Sequence, residues 1–498
     1  MSANPSPVPV TSPSTGLDSD RFKVGTLLYS KAGLITLFLF LLWGDFCFTL
    51  MEIVVPSILP LKFNAIGAPN WALGLIMVTI PSIMAAGINP WISFRSDRFR
   101  SKWGRRIPFL IGATPFLVFF LVVLGYADPI GRWVHASLLG GRFSQMTVMI
   151  VVIGVFMVCF QFFNLFITSV YYYLFNDVVP HAFLARFMAL FRVVGTGAGA
   201  GYNFFVLKYA KTHMQEIFLV AGLLYLVAFI MMCWKVREGG YPPPAPYVGK
   251  HKGFRGALRT YATECFTHRF YWYIFLANAC IAMTWASGSY SLIYQTQYLG
   301  LDFGFIGKVA GVSGVVSIIL LYPAGILADR LHPLRVLLIA TILQALLGPL
   351  SIIFAMSKPT LAVEMVQWIY LGLTVIGLPI HTLYNAAELP TLMKLFPMDR
   401  YGQFCSANAL VRSCALIVGG IACGAFLDLA KSLHPSPEYC YRFLPVWNVS
   451  FQIASAVFTF LLYREWKRLG GKENFKSPEP VAAAPASAAV ADAATVPA

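Results

Sequence analysis

Asp45 and Glu52 stand seven residues apart in an apolar stretch, with Thr49 between them. Seven residues are close to two helical turns, so a helix sets all three on one face. A carboxylate inside a bilayer is rare and expensive, which makes each one a functional candidate. When its surroundings alternate between water and low dielectric, its proton affinity alternates with them. A proton-coupling site needs that property, and Glu52 is its first candidate, Asp45 its second. The competing assignment for either acid is a structural ion pair with Arg192 or Arg412, two arginines within or just inside apolar stretches. Each guanidinium can also hold a solute's hydroxyls or carboxylates, or reach back to the membrane surface. Arg192 is taken here as a solute ligand.

Flat aromatic faces beside amides and hydroxyls suit a ring-bearing polar solute such as a sugar. One stretch offers Trp285, Ser289, Tyr290, Tyr294, Gln295 and Gln297; another offers Gln161, Asn164 and residues 171–173; a third offers Tyr384 and Asn385. With 15% aromatic residues, most such side chains face lipid or other helices. His381 can shuttle a proton, although a hydrogen-bonded core histidine is the commoner case. Glu388, at the end of the same stretch, reads as a gate or helix-end partner. The chain has no phosphate-cradling Gly-x4-Gly-Lys-Ser/Thr, no paired Cys/His metal ligands and no nucleophile elbow. No cofactor, metal or catalytic constellation is therefore expected, and an enzyme is disfavoured.

These residues must be positioned by membrane helices. Of 498 residues, 58% are hydrophobic and 12% charged, against about 25% charged in a soluble domain. Apolar runs of spanning length recur near 34–59, 71–94, 107–126, 147–175, 187–206 and 217–236, then near 271–299, 305–327, 334–355, 361–386, 405–427 and 444–463. The expected fold class is an all-α integral membrane protein of twelve transmembrane helices in two six-helix halves. Residues 1–31 read as a disordered tail without the basic start of a signal peptide. Residues 32–236 form the first half and 237–268 a basic linker, in which 257–266 is expected to lie on the membrane as an amphipathic helix. Residues 269–466 form the second half, and 467–498 an Ala/Pro-rich tail. The net charge of +16 gathers in alternate loops, which argues for topology over nucleic-acid binding. Both termini are expected in the cytoplasm, with the chain in the plasma (inner) membrane. Seven of nine cysteines lie in expected helices, and Cys265 and Cys440 on opposite sides, so no disulfide framework is implied.

The loop from Arg95 to Arg106 holds six basic residues and one acid between two apolar runs. It resembles the loop between the second and third helices of major-facilitator transporters. Arg-Ser-Lys-Trp-Gly-Arg-Arg followed by Pro108 is more narrowly similar to the glycoside–pentoside–hexuronide:cation symporters and to the sucrose and proton-coupled sugar carriers. Phe46-Cys47-Phe48 with Glu52 resembles the first-helix pattern of the animal proton-coupled sugar carriers. Counting back from Arg100, Ala85 and Asn89 replace the two acids with which melibiose-permease-like symporters bind a cation, so the resemblance favours protons over sodium. It also implies that Asp97, Arg98, Arg105, Arg106, Asp177, Asp329 and Arg330 form inner-side salt bridges, which stabilise the outward-open state and break as the inner gate opens. Orientation by positive charge is their other role.

The halves echo each other. Pro90 through Asp97-Arg98 recurs as Pro323 through Asp329-Arg330, residues 185–189 have a counterpart in 402–406, and the glycines at 195–201 in Gly419, Gly420 and Gly424. Parallel repeats of this kind place a solute site near the midplane between them. The reading is a secondary transporter, a proton symporter of a glycoside or oligosaccharide, with a small-molecule solute, the lipid bilayer and no nucleic acid as partners. A carrier of another polar solute (a nucleoside or cell-wall fragment) and a non-transporting membrane sensor are the alternatives.

Overall fold

The computed structural model describes residues 22–240, 265–397, 400–433 and 436–478. The basic run at 250–259, most of the expected helix at 257–266, and the tails at 1–21 and 479–498 lie outside the described residues. Within the stretch read as a tail, Lys23–Val24 (β1) and Leu27–Leu28 (β2) pair as a hairpin around Gly25, whose φ of +54° suits glycine.

Among the described residues, twelve long helical segments follow, with shorter ones between or after them. The first half comprises α1 (Lys31–Ala65), α2 (residues 70–98, with a π turn at Leu75–Thr79), α3 (Ile107–Gly125), α4 (Gln145–Val178), α5 (His181–Gly201, prolonged to Tyr209) and α6 (Met214–Lys235). The second comprises α7 (residues 269–298), α8 (Phe303–Leu331), α9 (Pro333–Ser357), α10 (Val363–Leu395), α11 (Tyr401–Ser432) and α12 (Leu444–Arg468). Among the described residues eleven helices are long and apolar enough to cross a membrane. The twelfth, α7, is interrupted at Ser287, whose hydroxyl bonds the Thr284 carbonyl and Asn448. Most helices outrun their apolar windows by several residues. The backbone ladder continues into polar sequence because a helix has no cheaper way to satisfy its N–H and C=O groups near lipid.

Packing repeats between the halves. In the first, α1 lies against α5 and α6, α3 against α4 and α6, and α2 against α4. In the second, α7 lies against α11 and α12, α9 against α10 and α12, and α8 against α10. Each pair is its counterpart shifted by six helices. Contacts between the halves follow the same symmetry, α2 on α11 and α8 on α5, with α1 against α7. They gather where α2, α8 and the second part of α7 lie farthest from the loop at 99–106. Gly307 and Gly311 of α8, for example, abut Asn203 and Phe204 of α5. The halves are therefore joined at the end opposite the basic loops.

Candidate functional site

Asp45 and Glu52 sit about 20 and 30 Å along a helix about 50 Å long, at 1.5 Å per residue, and so near mid-bundle. Both line a cavity of about 410 Å³. Phe48, Thr49 and Ile53 of α1, Tyr172 of α4, Phe191, Arg192, Gly195, Thr196 and Asn203 of α5, and Ala310 and Gly314 of α8 complete much of its wall. Asp45 is 1% exposed, and its Oδ2 has no hydrogen-bond partner. Gly195 makes room for it: a Cβ there would stand 3.5 Å from Asp45 Oδ2 and from Thr49 Oγ1. Glu52 Oε1 accepts a long bond, 3.5 Å, from Asn164 Nδ2, while Asn164 Oδ1 is buried without a donor. Arg192 faces the cavity and forms no ion pair among the described residues. The wall thus brings two carboxylates, a guanidinium, three phenyl or phenol rings and small hydroxyls to one polar space.

The expected solute residues divide. Asn164 belongs to this wall through Glu52, and Gln161 lies one turn before it on α4. Trp285 is half exposed in the other half, with the Arg412 guanidinium 4.7 Å above its ring. Arg412 Nη1 also donates to Glu388 Oε1 at 3.2 Å, so Glu388 has a cation of its own. Asn385 and His381 are exposed on α10 and bond each other at 3.1 Å. Gln295 bonds Ser291 at 3.3 Å, and Tyr294 stacks on Tyr298. Tyr290 is fully buried, its hydroxyl donating to the Asn70 carbonyl of the opposite half. Asn89, at the position compared with a cation-binding acid, accepts from Ser169 at 3.1 Å.

Of the residues expected to gate in the first half, Arg105, Arg106 and Asp177 come together at the basic end. Arg105 Nε donates to Asp177 Oδ2 at 2.9 Å and Arg106 Nε to the same oxygen at 3.1 Å; Arg106 also reaches Ser96. Because Asp177 ends α4 and the arginines lead into α3, these bonds lie inside one half. Glu238, just past α6, accepts the backbone N–H groups of Arg105, Arg106 and Ile107 at 2.9, 2.8 and 2.7 Å. A carboxylate there satisfies the orphan donors of α3 and complements its dipole. Gly104, at φ +101°, lies against it, and any Cβ would collide with the Glu238 side chain. The Asp97 side chain is outside those described, and Arg98 is exposed. Asp329 and Arg330 are exposed and form no ion pair among the described residues.

Sequence reading passed over two anchors. Lys62, 2% exposed, donates to the Leu124 and Gly125 carbonyls at the end of α3 and pairs with Asp128 at 3.2 Å. A lysine near a helix end in an apolar run was the available signal, and positive-inside counting alone does not use it. Glu238 was the other, an acid just outside an apolar run.

A family model for the Major Facilitator Superfamily matches residues 41–420. The chain belongs to that superfamily. It is a multi-pass membrane transporter built on this fold. Its structure is similar to that of a bacterial homologue of the human lysosomal transporter Spinster, inward-facing and unoccupied, with a TM-score of 0.64 at 15% identity, covering 90% of this chain and 100% of that one. It is similar to a point mutant of the nucleoside transporter NupG, TM-score 0.64 at 10% identity over 86% and 100%. A bacterial homologue of the iron transporter ferroportin, in its inward-facing state, matches with a TM-score of 0.63 at 14% identity over 86% and 99%. These likenesses show a shared fold and say nothing of the cargo.

Proposed function

We propose that this transporter couples inward proton flow to uptake of a neutral, ring-bearing polar solute, a glycoside or oligosaccharide. The observation that supports this most is the buried Asp45 oxygen with no donor, on the same cavity wall as Glu52. Two carboxylates without a committed cation are free to exchange protons as water reaches or leaves the cavity. Glu52 is the main carrier, because its one hydrogen bond is long and breakable and its cavity position lets solute and proton meet. Asp45 tunes or relays that proton. Arg192, lining the same cavity, offers its guanidinium donors to solute hydroxyls.

Phe48, Tyr172 and Phe191 supply the flat surface that a sugar ring's apolar face needs, and Thr49, Thr196 and Asn203 supply hydroxyl and amide partners. Gln161, Asn164, Trp285, Tyr294, Gln295 and Asn385 are proposed to meet the solute at other points of the cycle. Tyr290 reaches it only when the halves part. The basic end is proposed to face the cytoplasm, where its cations remain during insertion. Asp97, Arg98, Arg105, Arg106, Asp177, Asp329, Arg330 and Glu388 then gate that side. A nucleoside, also ring-bearing and polar, is the second solute class, since the same rings, hydroxyls and amides suit it.

Uptake of labelled disaccharides and nucleosides into proteoliposomes, with and without an inward proton gradient, tests this. A sugar accumulating only with the gradient supports it. A nucleoside doing so replaces the solute and keeps the coupling; no uptake of either by folded protein overturns the solute class.

A further inference from the structure

α2 begins without a cap of its own. Pro69 precedes it and contributes no side-chain bond, so the first N–H groups of the helix need an acceptor from elsewhere. They find it across the interface. Asp428 of α11 accepts the Asn70 N–H and the Asn70 side-chain amide through Oδ1, each at 3.0 Å, and the Trp71 N–H through Oδ2 at 2.9 Å. Tyr441 donates to Asn70 Oδ1 at 2.9 Å and Tyr290 to the Asn70 carbonyl at 2.8 Å, both from the second half. Asn70 is thus bonded on all sides by the opposite half.

The approach is possible only because of small residues. A Cβ on Gly424 would stand 2.5 Å from the Asn70 oxygen and 2.6 Å from the Trp71 Cα, and one on Gly420 would stand 2.7 Å from the Gly74 oxygen. These neighbours are backbone and cannot yield by turning a side chain. The cap is therefore borrowed, and it exists only while this end is shut.

We infer that Asp428, with Asn70 and the Gly420/Gly424 pair of α11, is the latch that closes the transport path at the end opposite the basic loops. It sets how often this carrier exposes its cavity there. The carboxylate bond to two backbone donors at a helix start is charge-assisted and complements the helix dipole. Parting the halves returns three donors and the carboxylate to water, which lowers but does not abolish the preference for closure.

Distances between spin labels on encoded keto residues test this in the full chain in nanodiscs, with no solute present. One pair replaces Ala65 and Leu433 at the latched end, the other Lys102 and Leu331 at the basic end. Asp428→Ala is expected to raise the open population at the latched end at least about tenfold, because the closed form loses the acceptor of three donors that water meets in the open form. Asp428→Asn should fall between it and the parent. Gly424→Leu should make the open form dominant by obstruction, with the basic-end distance shortening in step. Unchanged distances at both ends in variants that keep the parent's melting temperature overturn the latch. Amide exchange in the unmodified protein gives an arm that needs no variant. The Asn70 and Trp71 N–H groups should exchange at the rate the latched end opens, and rapid exchange while that end stays closed overturns the proposal.

Discussion

Asp45 and Glu52 of the first half and Glu388 of the second are held in opposite ways. In the first half Asp45 keeps an oxygen without a donor, and Glu52 has one long bond to an amide. In the second half Glu388 is paired with Arg412, whose guanidinium also covers Trp285. A carboxylate matched to a cation has little reason to take a proton, whereas an unmatched one in a changing cavity has every reason. On the proposed function, proton exchange belongs to Asp45 and Glu52 and structural pairing to Glu388 and Arg412, although helix packing repeats between the halves.

Breaking the first member of that comparison has the largest expected effect. Glu52→Gln should lower gradient-driven uptake about a hundredfold, in the range of a lost proton-transfer group, while exchange of solute across the membrane persists. Asp45→Asn should lower it about tenfold under the same assay, since a relay is less costly to lose than the main carrier. If both variants accumulate solute as the parent does, the first half is not the proton site.

The second half gives a stability readout. Arg412→Ala leaves Glu388 without its cation and should cost about 1–3 kcal/mol, less than a fully buried pair because both groups retain some water. Adding Glu388→Gln to Arg412→Ala should recover part of that loss in a thermal melt. No recovery would mean that Arg412 acts through Trp285 and not through the acid.

Smaller effects sharpen the edges. Glu238→Ala removes the borrowed cap of α3 and should cost about 1 kcal/mol, seen as a modest fall in melting temperature that Glu238→Gln largely avoids. His332, between α8 and α9, has φ of +82° and accepts the Leu334 N–H. Burial, with Lys394 and Arg335 nearby, pushes its imidazole from 6.5 down to about 4. The folded chain therefore binds this proton less readily than the unfolded chain, so stability is full above about 6.5 and declines as the pH falls towards 4. His332→Asn keeps an acceptor and tolerates the backbone, and should flatten the melting temperature across that window.

Much of the fold was legible because membrane helices announce themselves: long apolar runs, basic loops and a repeated Pro-to-Asp-Arg pattern. Asp45 and Glu52 were legible for the same reason, as charges where charge is costly. The latch was not, since Asn70 and Asp428 are 358 residues apart and neither is unusual in its own surroundings. Tyr290 shows the same limit from the other side. Its type and its neighbours in sequence suggest a solute ligand, but only packing reveals that its hydroxyl meets a backbone carbonyl. The Glu238 cap depends on a chain reversal past α6 that no local pattern encodes.

The most direct test of proton coupling in the first half is the pH change outside proteoliposomes when an accumulated sugar is added without any imposed gradient. Coupled entry draws protons inward with the solute, so the parent should make the outer medium more alkaline and Glu52→Gln should not, while Arg412→Ala combined with Glu388→Gln should still do so. An undiminished signal in Glu52→Gln and in Asp45→Asn, or a signal that requires sodium, would contradict the assignment.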